Sequence, residues 1–496
     1  MGAAMAAWVA VLAGCGEGLP PSAPPGRAAS AVTGVAVRPW GPVGTAPIGD
    51  SALRARATHR IVPPDVADRA AIRRLFLLAE EAFAPQAPAC DPQVLPAATF
   101  EPFAAFDLPR TAIHPATAFD GTGIWYAVNL PAGDGSGNLV PWAARMACDG
   151  TMLVAPFLVA DVGHNAVDPA VAVSGDAVLV VWQVDDPDKA PDNMDVWVRA
   201  FGVDGQPRSE ATLLEPTSGG APIPGTLWMP AVAPIDGGFL VAATLADAQA
   251  QRFQTLVARL GPDGAPAPGD DGPLDAFLPA REDGIGQVYP AVAVAGDGTP
   301  WGAWDREPDQ GDARVVFGPL GAWGDAMAPG PMPFPDAQAV SGAAALAVAG
   351  GDSSAVLLAA SVGDDDPAIR LRQVAPGIAG AADLVRDGGR RADVSPAVAV
   401  DAAGYRGLLA WYRLRSGYLA DVVVQPFRNF GGVLLARGAE SVLNPAGFID
   451  KHDAIAPYPL ALTAVGAGRF LVSWVERRTG EDAATEYHVM SRFVGP

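Results

Sequence analysis

Lysine is almost missing from this 496-residue chain, where Lys189 and Lys451 stand against 31 arginines. Beside abundant Ala, Gly and Pro, that bias is the mark of a GC-rich genome, so single arginines are not read as selected for phosphate. With 54 acidic residues the net charge is -21 and the isoelectric point about 4.5. This balance excludes electrostatic attraction to nucleic acid or to an anionic membrane surface, and it favours a self-repelling monomer. Glutamate is scarce too: 12 of the 54 acids are Glu and 42 are Asp. Glu suits helix faces and Asp suits turns, so the imbalance points away from helices. Cysteine is limited to Cys15, Cys90 and Cys148, and histidine to five scattered positions without metal-ligand spacing. No P-loop, HExxH, CxxC or GxSxG sequence is present. The nearest approach to a nucleophile elbow, Gly351 to Ala355, reads as a β-turn.

What is abundant is punctuation. The 57 glycines and 49 prolines occupy about a fifth of the chain, against roughly 12% in average proteins. Half of the residues are nevertheless hydrophobic and mean hydropathy is +0.20, so a large core can be buried. Short apolar runs broken by turns satisfy both facts.

Residues 1–14, MGAAMAAWVAVLAG, form an apolar run too short to span a bilayer and end in small residues, as a processed targeting segment does. Leu12-Ala13-Gly14-Cys15 resembles the lipobox of bacterial lipoproteins, although no Lys or Arg precedes the apolar run. That resemblance implies cleavage before Cys15, a lipid on its thiol and, with Gly16 and not Asp next, export to the outer membrane. Residues 15–60 are rich in Pro, Ala and Gly and read as an extended tether. With Cys15 lipidated, Cys90 and Cys148 remain as a pair in an oxidising compartment, and a disulfide is their simplest use.

The body of the chain repeats. An apolar residue, a spacer, Pro, a β-alternating run, a Gly/Asp turn and a second apolar run recur as IHPATAFDGTGIWYAV, VDPAVAVSGDAVLVVW, WMPAVAPIDGGFLVAA, VYPAVAVAGDGTPWGAW, a degenerate AALAVAGGDSSAVLLAA, VSPAVAVDAAGYRGLLAW and IAPYPLALTAVGAGRFLVSW. The markers Pro115, Pro169, Pro230, Pro290, Ala344, Pro396 and Pro457 lie 54, 61, 60, 54, 52 and 61 residues apart. Each copy reads as a hairpin, and in most a second hairpin follows with an apolar column at Met146, Phe201, Leu260, Leu320, Val374, Phe427 and Phe493. Four strands per unit at this period predict an all-β, seven-bladed β-propeller over residues 96–496, with six or eight blades as the alternatives.

The seventh copy ends at Pro496 with only three strands. An exposed edge needs covering, so Thr99 to Phe106 is predicted to close the ring as the outer strand of the last blade, with Cys90 near the first-blade turn that holds Cys148. Residues 61–95 are read as a helical brace. Its helix runs from Pro64 to Phe83, capped by Asp65, with Ile72, Leu75, Phe76 and Ala79 at helical spacing and Pro85 as the stop. It is expected to pack on the propeller rim, with docking of a partner protein as the alternative.

Site candidates follow from position. In a propeller, the loops entering the first strands surround the mouth of the central channel. His114, Asp168, Met229, Tyr289 and Ser395 stand just before the markers, with Arg390, Arg391, Asp393, His452 and Asp453 nearby. The candidate ligand-binding set is His114, Asp168, Tyr289, Arg391, Ser395, His452 and Asp453, weighed against ordinary solvated loop residues. The acidic stretches Asp185 to Asp195, Asp305 to Asp312 and Gly363 to Asp366 could offer oxygens to Ca²⁺, but they lack the DxDxDG spacing, so no cofactor or metal is predicted and a solvated acidic rim is the reading. Trp182, Trp304, Trp411 and Trp474 are read as blade packing at the ends of second strands and not as sugar platforms, and the Asp-box turns of sialidases are absent.

The chain thus resembles repeat propellers carried by bacterial surface lipoproteins. The resemblance is architectural and implies a non-catalytic scaffold or ligand-binding module of the cell envelope, whose partner is an envelope protein or a glycan. The alternative is a carbohydrate-active hydrolase or lyase working at the channel mouth with His and Asp.

Overall fold

The structure is a computed structural model that describes Cys90, residues 103–104 and, with interruptions, residues 113–495. Among the described residues there is no helix, and the strands form seven antiparallel sheets of three to five strands plus one two-stranded ribbon. The predicted signal, tether and helix over Pro64 to Phe83 lie outside the described residues.

Each sheet starts from an inner strand, and the next strands are added outward in chain order, except that the outermost strand of the seventh sheet comes from the N-terminal side of the ring. The inner strands are Ile113–Phe119, Asn165–Ser174, Thr226–Ile235, Ile285–Val294, Ala345–Val348, Asp393–Val400 and Ala461–Gly466. Each touches the next, and the seventh touches the first. The result is an all-β ring of propeller type.

The repeat positions fall where the alternation places them. All seven residues of the predicted apolar column are buried. Most face the start of the neighbouring second strand, as in Ile124 with Met146 and Val178 with Phe201. In the sixth sheet that partner is Gly407, because the ring of Phe427 occupies the space a Cβ would take. The third and fourth sheets depart from the four-strand expectation. Their described portions have three strands, and an isolated Leu260–Pro266 bridge stands in the third where an outer strand was expected.

The Asp excess has a local cause. Asp149, Asp204, Asp263 and Asp297 each accept, through Oδ1, the amide of the residue two positions on, at 2.8 to 3.0 Å. The Gly between adopts positive φ in each case: Gly150, Gly205, Gly264 and Gly298. A carboxylate on one methylene reaches that amide, and Gly alone takes the left-handed step without strain. Asp120 does the same with Thr122 and Gly123 and also receives Arg145 Nε at 2.6 Å. Burial would raise its pKa, but these hydrogen bonds prevail and hold the carboxyl below the ordinary range.

Closure follows the predicted route within the described residues. Phe103–Ala104 pairs antiparallel with Met490 and Ser491 on the strand Thr485–Val494, completing the seventh sheet. Cys90 is bonded to Cys148, with Cα atoms 5.3 Å apart, and both are buried in the apolar cluster between the seventh and first sheets.

Candidate functional site: the inner ring

Among the described residues, five that are not glycine have left-handed backbone conformations: His114, Asp168, Met229, Tyr289 and Ser395, with φ between 50° and 56°. They are the five described residues that stand before a marker proline. Such a conformation costs of order 1–3 kcal/mol in a non-glycine residue, so its recurrence at five equivalent places needs a common cause.

The ladder supplies it. In the first sheet Ile113 faces Asn129 and Ala116 faces Ala127, so His114 and Pro115 together oppose one residue, Val128. The same single-residue excess occurs between Val167 and Ala170, Trp228 and Ala231, Val288 and Ala291, and Val394 and Ala397. Proline has no N–H for the ladder, and a bulge is the place in a strand that tolerates it. The left-handed residue provides the extra step.

The residue opposite the bulge is Trp182, Trp304 or Trp411 in three of the sheets. These tryptophans and Trp474 are buried between neighbouring sheets, as the packing reading expects. They do not end their strands, however. The strands continue to Asp185, Pro308, Leu414 and Thr479; beyond Trp182, Trp304 and Trp411 the residues pair with the inner strand before its bulge, and beyond Trp474 they pair with the strand Thr485–Val494. Asp305 is consequently buried within a strand, which corrects its assignment to a solvated acidic rim. The rest of the three acidic stretches falls largely outside the described residues.

All five ring residues are buried, between 5% and 8% exposed, which corrects the picture of solvated loop groups. His114 and Asp168 come together, with Nδ1 2.9 Å from Oδ1. The same Nδ1 accepts the amide of Asp168 at 3.1 Å. Met229 and Tyr289 meet in one apolar cluster with Met194, Trp228 and Val288. Ser395 lies on the sixth sheet with its Oγ buried and without a hydrogen-bond partner among the described residues. Arg390, Arg391, His452 and Asp453 lie outside the described residues.

Asp393, two positions before Ser395, is not a loop group either. It opens the inner strand with its carboxylate fully buried, gripped by Arg413 through Nε at 2.8 Å and Nη2 at 2.9 Å, while Arg413 also donates to Glu440 at 2.9 Å. Burial pushes the Asp393 carboxyl upward against the pull of the guanidinium. The Asp393 contact in turn strengthens the hold of Arg413 on its proton. A carboxylate held this way is part of a structural ion pair.

Of a further set of polar residues, sequence reasoning singled out Asp305 alone, as a member of an acidic stretch. Facing the residue before each bulge are Asn129, Gln183, Thr244, Asp305 and Tyr412, with Ser361 in the corresponding place of the fifth sheet, all buried. Three of them reach the next sheet. Asn129 Nδ2 donates to the Ala166 carbonyl at 2.9 Å and Ser361 Oγ donates to the Asp393 carbonyl at 2.7 Å. Gln183 Oε1 accepts the Met229 amide at 2.9 Å. Ala166 and Asp393 each stand two residues before a left-handed one, so these are equivalent carbonyls. The signal was present: one polar residue directly after the buried Trp, as in Trp182-Gln183 and Trp304-Asp305.

Chemically, the pair His114–Asp168 has the spacing of an acid–base dyad. Its Nδ1 nevertheless serves the strained backbone of the second sheet, the task Gln183 performs for the third. Among the described residues no group of three or more His, Cys, Asp or Glu could hold a metal ion.

No family model and no curated protein matches the chain. Similar solved structures include a protein of unknown function from Dyadobacter fermentans, 14% identical with a TM-score of 0.44 over 68% of this chain and 99% of that one. A Hadza microbial sialidase is 14% identical with a TM-score of 0.42, covering 73% and 74%, and the polysaccharide lyase Uly1 is 10% identical with a TM-score of 0.43, covering 74% and 88%. At these values the architecture rests on the chain's own sheets and their ring of contacts.

Proposed function

We propose that this chain is a seven-bladed β-propeller carried by a lipid on Cys15 at the bacterial cell envelope, serving as a non-catalytic scaffold or ligand-binding module. The observation that carries the non-catalytic reading is the engagement of the inner ring. His114 caps a strained amide of the next sheet, and Asp168 and Asp393 are buried against His114 and Arg413. Groups committed to holding sheets together are poorly placed to exchange protons with a substrate. Each of the seven sheets is taken as one blade.

The spacing of His114 and Asp168 favours a second reading, a carbohydrate-active hydrolase or lyase. One screen separates the two: glycan and peptide turnover by the full chain, with His114→Ala and Asp168→Ala as controls. The scaffold reading expects no turnover above that of the variants, and activity abolished by both substitutions would overturn it. Fractionation with labelled fatty acid tests the anchor. Label and membrane association are expected in the native chain and absent from Cys15→Ala, and a soluble, unlabelled native protein would refute it.

A further inference from the structure

Two fastenings meet at the seam between the seventh and first sheets, and the chain reaches them in a fixed order. Cys90, bonded to Cys148, comes first, and the closing strand Phe103–Ala104 begins 13 residues later. Among the described residues the pairing of that strand is Phe103 with Ser491 and Ala104 with Met490, at the outer edge of the seventh sheet. A strand at a sheet edge is held by ladder bonds on one side, so a pull along the chain from its N-terminal end has only those bonds to overcome. Cys148 is held differently. It follows the third strand of the first sheet, Leu139–Ala147, and both cysteines are buried in a cluster that also contains Tyr126, Met146 and Phe493.

We propose that the Cys90–Cys148 bond is a tension bypass: it passes a pull arriving from the N-terminal side into the body of the first sheet and keeps it off the closing strand. The reason is that two branches leave Cys90. Once Cys90 is fixed to Cys148, the chain from Cys90 to Phe103 carries load only if it is drawn taut. Those 13 residues reach up to about 45 Å. Phe493, in the same cluster as Cys90, stands two residues along its strand from Ser491, the partner of Phe103, a rise of about 7 Å. The slack therefore stays on the branch to the closing strand, and the load takes the covalent branch. The order of the two fastenings is what makes this work. A cysteine between Phe103 and Ile113 would staple the same seam and leave the closing strand in the line of force. Tension of this kind is what a lipid-held tether delivers, so the use of the bypass in the cell rests on the anchored reading, whereas the bypass itself does not.

The test is single-molecule pulling on the full, oxidised, unlipidated chain. One handle is azidophenylalanine in place of Asp236, in an exposed turn of the third sheet, and the other is azidophenylalanine in place of either Glu17 or Ala97. Pulled from position 97, downstream of the disulfide, the closing strand is expected to give way first. It releases the nine residues from Ala104 to Ile113, where the inner strand of the first sheet begins, in a step of about 30 Å. Pulled from position 17, the oxidised chain is expected to lack that step, and the reduced chain and Cys90→Ser are expected to regain it. The step appearing from position 17 in the oxidised chain, its absence from position 97, or its failure to return without the bond would each overturn the proposal. Because force is applied directly, any of these results leaves the lipid anchor untouched, and that reading is tested separately by the fractionation of Cys15→Ala.

Discussion

Between the first three sheets one continuous cluster of Ala, Val, Leu, Trp and Phe spans two seams with a few hydrogen bonds beside it, whereas the smaller cluster at the seam between the seventh and first sheets is reinforced by a disulfide, an added strand and buried hydroxyl pairs. In that closing seam Thr117 and Thr463 share a buried hydrogen bond of 2.7 Å across the inner strands. Tyr126 donates to Ser491 at 3.3 Å, and Ser491 pairs with Ser473 at 2.7 Å. Burial raises the Tyr126 phenol well above its ordinary range, so it stays a neutral donor. The strand Phe103–Ala104 and the Cys90–Cys148 bond join the same region. The contrast has a physical reason. Consecutive sheets are connected by the chain, and the bonds between them, such as Asn129 to Ala166 and Gln183 to Met229, supplement apolar complementarity. The first and last sheets stand at the two ends of the repeat and are linked in the chain only through the short strand Phe103–Ala104, so non-directional burial there would leave both register and closure underdetermined.

The most severe way to break the contrast is in the apolar cluster of the first three sheets. Trp182→Ala removes a fully buried indole and is expected to cost about 3–5 kcal/mol in urea unfolding. At the closing seam, Cys148→Ser is expected to cost roughly 2–4 kcal/mol. The native protein with reductant should lose a similar amount, while the variant should be insensitive to reductant. Smaller still is the buried hydroxyl pair. Thr463→Val alone strands Thr117 and should cost about 1–3 kcal/mol, whereas Thr117→Val together with Thr463→Val should recover most of that loss. A double variant no better than the sum of the singles would show that the hydroxyls do not act on each other.

The mildest effect is one of pH. Because Asp120 has a lowered folded value, the unfolded chain takes up its proton first as pH falls. The stabilisation is therefore complete above the ordinary carboxylate range and is lost as pH drops through the lowered folded value. Asp120→Asn should flatten the acid limb of a stability–pH curve and leave its neutral limb displaced by a constant. An unchanged acid limb would remove Asp120 from the account.

Legibility in the sequence followed the range of each interaction. The marker prolines, the Asp-Gly turns and the closing strand are local or terminal features, and each could be read from spacing. The bulge was not, although its two residues were in view as His114-Pro115 and Asp168-Pro169. It exists only relative to the register of the second strand. The burial of those residues was missed for the same reason, since a position before a proline in a turn-rich chain resembles a loop. The partnership of His114 with Asp168 joins residues 54 apart, and only ring geometry brings them together. Asn129, Gln183 and Ser361 were passed over because a lone polar residue after an apolar run looks like the end of a strand.

Amide hydrogen exchange on the intact chain, comparing the native protein with Cys148→Ser, tests the two-seam account most directly. The account predicts that Cys148→Ser selectively deprotects the strand Thr485–Val494, where Met490 and Ser491 pair with the closing strand, and leaves Ala177–Asp185 as protected as before. Equal deprotection of both strands, or of neither, would contradict it.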